Sequence, residues 1–207
     1  MSFRAMKGVI LRRSRRIFHF IQINNPKWKI PRFTRNDMII SFFLLLLSQP
    51  LFAQTPDPYL QQAQEFNQAG KYDKALDILF QALKNQPMDA AIHAELGKAY
   101  YGRELYQVAQ EALLKSLSIN ANQWEAHLYL GRTYAKRKML ELAASEYEQT
   151  TSQNKQSEVA HFEAGRVYVQ IGDLGKAKKH YSALEKMQSP RAPELMGLID
   201  PSSIVVQ

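Results

Sequence analysis

Small residues recur along this chain at a fixed spacing of 34: Ala63, Gly97, Gly131 and Gly165. A second set keeps the interval twelve positions later, at Ala75, Ala109, Ala143 and Ala177. Three positions after the first set stand Phe66, Tyr100, Tyr134 and Tyr168, and sixteen after it Leu79, Leu113, Tyr147 and Tyr181. Four columns thus hold their character through four copies with no insertion. A period of this length means one supersecondary unit stacked on copies of itself. A single unit cannot bury its apolar face, whereas a stack can.

Each column has a physical reading. Glycine inside a helix costs about 1 kcal/mol against alanine. Three glycines kept there imply a neighbouring helix too close for a side chain, with the Ala column as the matching surface. The aromatic and Leu columns fill the space beside that contact. Each unit therefore reads as two antiparallel helices. First helices are predicted over 57–69, 91–103, 125–137 and 159–171, and second helices over 73–85, 107–119, 141–153 and 175–187. Gly70 and Gly172 fall in two of the turns, and Pro87 follows one second helix, where helices stop. The units span 56–89, 90–123, 124–157 and 158–191. Beyond them, 192–200 reads as a short helix over the last apolar edge, ended by Asp200-Pro201, and 201–207 as a tail. The predicted fold is all-α, a solenoid of four antiparallel helix pairs with a C-terminal capping helix.

Leu96-Gly97, Tyr100, Ala109 and Leu113, echoed by Leu130-Gly131, Tyr134, Ala143 and Tyr147, resemble the tetratricopeptide repeat family, over residues 56–191. The family's tryptophan position holds Tyr59, His93, His127 and His161 here, and its terminal proline is present only as Pro87. Gln62 replaces a leucine in the first unit, which suits a polar N-terminal cap. The resemblance implies a right-handed superhelix whose first helices line a concave face. It further implies a non-catalytic adaptor or scaffold that binds a protein or peptide. The family's clamp for C-terminal carboxylates is not carried over, because Leu60, Gln64 and Glu125 stand where Lys or Asn would be needed.

On those first helices one column reads Gln64, Lys98, Arg132, Arg166. Four residues earlier lie Leu60, Ala94, Leu128 and Phe162, and three residues later Asn67, Tyr101, Ala135 and Val169. The candidate groove is Lys98, Arg132 and Arg166 with Tyr101, Leu128, Tyr129 and Phe162. Such a surface fits a partner with acids beside an apolar anchor. The opposing reading is a solvated face, in which Glu95–Lys98 and Glu163–Arg166 are ordinary pairs three residues apart. Arg132 has Tyr129 where the other two have Glu, so it has no such partner on its own helix. A structural self-association module, with repeats stacked between copies in a homo-oligomer, is the alternative function.

Other classes fall away. The chain has no cysteine, which excludes disulfides, thiolate metal sites and a cysteine nucleophile. Histidines in equivalent places of successive units stand about 10 Å apart, a helix-packing distance, too far to share one ion. No metal or cofactor is expected. Gly97-Lys98-Ala99 lacks the earlier glycine and the Ser/Thr of a phosphate loop. No hydrolase or zinc-protease motif occurs, and the chain is not expected to be an enzyme.

The formal net charge of +8 belongs to the leader. Residues 1–37 hold ten of the 27 basic residues and one acid, Asp37; the remaining 17 basic residues face 18 acids. A nucleic-acid reading of the body therefore loses its main support, and no nucleic-acid partner is expected, while contact of the basic N-terminal arm with phosphate or membrane stays open. After the basic stretch, the apolar run Met38–Leu47 is about half the length a membrane span needs, and it fits the apolar region of a signal peptide cut after Ala53. A basic extension of 37 residues is long for such a peptide. A downstream translation start, an organellar transit peptide and an uncleaved membrane anchor stay open beside it. The expected location is secreted or periplasmic, with no stable membrane span after processing.

Overall fold

The computed structural model describes residues 58–203. The basic stretch 1–37, the segment 38–53 that the sequence reads as a signal peptide, and residues 54–57 and 204–207 lie outside the described residues. Nine α-helices follow one another among the described residues. They are α1 (Pro58–Gln68), α2 (Tyr72–Asn85), α3 (Ala90–Gly102), α4 (Tyr106–Ile119), α5 (Trp124–Lys136), α6 (Leu140–Gln153), α7 (Glu158–Ile171), α8 (Leu174–Lys186) and α9 (Ala192–Ile199). Pro201–Ser203 add one 3-10 turn within the stretch read as a tail. The fold is an all-α helical repeat solenoid. Each of the eight paired helices begins and ends within one residue of its predicted range.

Local chemistry sets several of these ends. The Asp89 carboxylate accepts from the backbone N–H groups of Ala91 (2.7 Å) and Ile92 (3.2 Å), capping α3. Ser157 and Asp173 cap α7 and α8 in the same way. The turn between paired helices puts one residue in the left-handed region in all four units: Gly70, Glu104, Lys138 and Gly172, again 34 apart. Glycine adopts this conformation without strain; Glu104 and Lys138 do not.

Packing defines two layers. Each helix packs on its pair and on the next unit. The backbones of the first helices also approach one another, α1 with α3, α3 with α5 and α5 with α7, whereas those of successive second helices do not, and α6 and α8 meet only through side chains such as Glu148 and His180. The first helices are therefore the inner layer of the curve and the second helices splay outward. Ala75, Ala109, Ala143 and Ala177 are all fully buried, and Leu79, Leu113 and Tyr147 fill the space beside them.

The glycines are crowded as expected, with one change of partner. A methyl group on Gly97 would lie 2.4 Å from the Leu113 side chain, and one on Gly131 2.7 Å from the Tyr147 ring. At Gly165 the crowding atom is Leu195 of α9, 2.4 Å away, and not the column residue Tyr181. Tyr181 is half-buried and donates its hydroxyl to Glu185, so the slot it leaves is filled by the capping helix.

Candidate functional site: the groove of the first helices

The inner layer carries a groove of about 660 Å³, lined by residues of α1, α3, α5 and α7 that include Asn67, Glu95, Lys98, Tyr101, Tyr129 and Arg132. A second hollow of about 540 Å³ shares Tyr101 and Arg132 with it and runs on to Glu163 and Arg166. Lys98, Arg132 and Arg166 thus stand along one continuous face.

Each cation has an acidic partner, and that of Arg132 comes from the next unit rather than from its own helix. Lys98 Nζ donates to Glu95 (2.8 Å) and also to Glu125 of the next unit. Burial pulls the Lys98 pKa down, but the two carboxylates outweigh it and leave the pKa raised. Glu95 is 4% exposed and accepts from Asn67 Nδ2 at 2.8 Å as well. Arg132 reaches Glu163 of the following unit at 3.9 Å, and Arg166 holds the same carboxylate at 3.2 Å. Arg132 has Tyr129, and no acid, three residues before it on its own helix. Stacking the repeats supplies one from the next helix.

Tyr129 occupies the slot held by glutamate in the flanking units, and it interacts with the same cations differently. Lys98 Nζ lies 5.5 Å and Arg132 Cζ 5.2 Å from its ring centre, so the ring sits between two cations. Tyr101 packs edge-on against Tyr129, with ring centres 5.7 Å apart. These two rings are half-buried and present the apolar surface of the groove.

Leu128 lines the groove, but it and Phe162 offer little free apolar surface. They are 6% and 4% exposed and belong to the core of units two to four. Phe162 lies beneath the guanidinium groups of Arg166 and Arg191, 5.7 and 5.2 Å from its ring centre. Their column is the one through which first helices meet, so the stack covers it.

The groove is consequently polarised. At its N-terminal end one lysine lies between two carboxylates, and at its C-terminal end two arginines share one. Asn67, at the N-terminal end, leaves its buried Oδ1 without a hydrogen-bond partner, a deficit that buried polar groups rarely carry.

The histidine column ties turns together. His93, His127 and His161 place Nε2 3.0, 3.1 and 3.2 Å from the carbonyls of Pro87, Ala121 and Lys155, each six residues upstream. No cluster of three or more His, Asp or Glu able to hold a metal occurs among the described residues.

The repeat geometry meets a sequence match at this point. A tetratricopeptide repeat family model matches residues 60–123 and 95–157, which are units one to three of the solenoid. The chain belongs to the tetratricopeptide repeat family. Solved tetratricopeptide repeat structures are similar to it in fold. MamA gives a TM-score of 0.60 at 24% identity, covering 68% of this chain and 83% of that one. YrrB, described as a tetratricopeptide repeat protein with an unusual peptide-binding site, gives 0.57 at 19%, covering 71% and 87%. The first such domain of Spaghetti (RPAP3), bound to the HSP90 peptide SRMEEVD, gives 0.52 at 18%, covering 55% and 90%. No curated protein sequence gives a significant match. At these identities the likeness to this tetratricopeptide repeat protein is one of fold.

Proposed function

We propose that this protein is a non-catalytic adaptor that holds a peptide segment of a partner protein in the groove of its first helices. The observation that carries the reading is the make-up of that groove. Two tyrosines at its centre are flanked by a carboxylate-rich end and by an end where Arg132 and Arg166 share Glu163. A partner with an acid at the arginine end and an aromatic or aliphatic residue on Tyr101 and Tyr129 complements both features. The tyrosines hold the partner by contact area, while the charges set its direction and association rate. The HSP90 peptide bound to the RPAP3 domain, SRMEEVD, is acidic, which agrees with this preference.

Selection from a random peptide library tests it. Peptides enriched on the wild-type chain should pair an acid with a large apolar residue, and should lose most of their affinity for Arg132→Glu while its melting curve stays near wild type. Enriched peptides that bind both proteins equally would refute the groove.

The apolar segment 38–53 with Ala53 at its end supports an exported, periplasmic location for this adaptor. N-terminal sequencing of the native protein should then begin at Gln54; a mature chain retaining residues 38–53 would contradict export by cleavage.

A further inference from the structure

On the outer face, the splay of the second helices leaves a cleft of about 670 Å³ between α6 and α8. Lys155, Lys179 and Lys186 line it, with the hydroxyls of Thr151, Ser152 and Ser182 between them. None of the three ammonium groups pairs with a carboxylate among the described residues. This is the reverse of the groove, where every cation has one. The volume falls in the range of small-molecule sites.

His161 and His180 form one wall of the cleft, with their Nδ1 atoms 3.0 Å apart. His180 is 2% exposed. Three contacts run from the Lys155 carbonyl through both rings to Glu148: His161 Nε2 to the carbonyl at 3.2 Å, Nδ1 to Nδ1 at 3.0 Å, and His180 Nε2 to Glu148 Oε1 at 3.3 Å. Each needs one hydrogen, and two neutral imidazoles carry two between them. Glu148 Oε1 also accepts from the Tyr168 hydroxyl, at 3.2 Å. The chain from Tyr168 to the Lys155 carbonyl therefore lacks one proton.

The charged groups facing the pair are Glu148 from α6 and Lys179 from α8, with Lys155 in the connection before α7 and Lys186 on the same wall; α9 adds none among the described residues. Burial lowers the pKa of both imidazoles; Glu148 opposes it, and Lys179 adds the smallest lowering. Burial is therefore the main force that keeps the missing proton out. An anion in the cleft would offset the lysines, add negative charge beside the pair and favour uptake of the proton that completes the chain.

We infer that the cleft between α6 and α8 is a binding site for a compact polyanion of the phosphate class, and that binding is coupled to uptake of one proton by the His161–His180 pair. The site lies on the face opposite the peptide groove and does not depend on it.

Calorimetric titration of the full chain tests this with two probes, inorganic pyrophosphate at fixed pH and sulfate across pH. The charge of sulfate is constant between pH of about 6 and about 8, so any pH dependence belongs to the protein. Sulfate affinity should rise by up to about tenfold per pH unit as pH falls, the slope for one linked proton. The His180 ring nitrogens should shift to the cationic signature in ¹⁵N NMR on binding. Lys179→Ala/Lys186→Ala should weaken both anions by about tenfold or more, the loss of two close charge contacts, whereas the charge-matched Lys71→Ala/Lys74→Ala should leave them unchanged. Absence of binding at millimolar anion, or equal loss in both double variants, would overturn the site. Affinity independent of pH, with His180 unchanged in NMR, would overturn the proton coupling.

Discussion

Leu195 offers a sharp test of how the solenoid is closed. Its side chain is fully buried and occupies the space over Gly165 that the repeat pattern assigns to residue 181. Leu195→Ala removes those contacts and leaves a cavity, a loss of about 2–5 kcal/mol. Gly165→Ala alone adds a methyl group 2.4 Å from Leu195 Cδ2. Overpacking of that kind costs about 1–3 kcal/mol, partly offset by about 1 kcal/mol of helix propensity, so the net loss lies between about 0 and 2. In the Leu195→Ala background the same methyl enters empty space. It then contributes propensity plus about 0.8 kcal/mol of burial, a gain of about 1–2 kcal/mol. The two substitutions should therefore couple by about 1–4 kcal/mol. Urea denaturation of the full chain, followed by circular dichroism, measures the cycle. Amide exchange along α8 and α9 assigns the change to the C-terminal end, because repeat arrays need not unfold in one step. Additivity within about 0.5 kcal/mol, the behaviour of independent sites, would refute the claim that Leu195 is the residue Gly165 accommodates.

Further outcomes follow from single contacts. Asp89→Ala removes the cap of α3 and should cost about 1 kcal/mol in the same denaturation assay. Lys138→Gly relieves a left-handed lysine and should raise stability by up to about 1 kcal/mol; no gain would mean the turn is not strained. The hydrogen bond to Glu146 raises the pKa of His127, so its contribution to stability is full below the ordinary histidine value of about 6.5 and is lost as pH rises through the folded-state pKa. His127→Gln should therefore destabilise more at pH of about 5.5 than at about 8; an equal loss at both would contradict the pairing. His161 and His180, lowered by burial, run the other way and withdraw stability as pH falls below that value.

The 34-residue period placed the eight paired helices because each column answers to a contact made within one unit or with its neighbour. The parts that were not legible depend on the stack as a whole. Arg132 and Glu163 are 31 residues apart and meet only when α5 and α7 lie side by side, so a reading confined to pairs three or four apart on one helix passes over them. The signal was present in the lattice, since Glu163 stands one repeat beyond Tyr129. Leu128 and Phe162 read as groove residues from their phase; Leu128 does line the groove, but both are mostly buried in the core. The left-handed turns at Gly70 and Gly172 are legible as glycines; Glu104 and Lys138 adopt the same backbone because the helix pairing imposes it. Leu195 stands 34 residues after His161, in the histidine column, and nothing in that column points to a residue that fills the space over Gly165.

The central claim is that partners bind on the inner layer of first helices. Photo-crosslinking from defined positions measures it directly. A benzoylphenylalanine in place of Tyr129 looks into the groove, and one in place of Leu142, an exposed residue of α6, looks outward. With a library-selected peptide, crosslinks should form from position 129 and not from 142, and Arg132→Glu should abolish them. Crosslinks from position 142 alone, unaffected by Arg132→Glu, would contradict the account and move the binding face to the second helices.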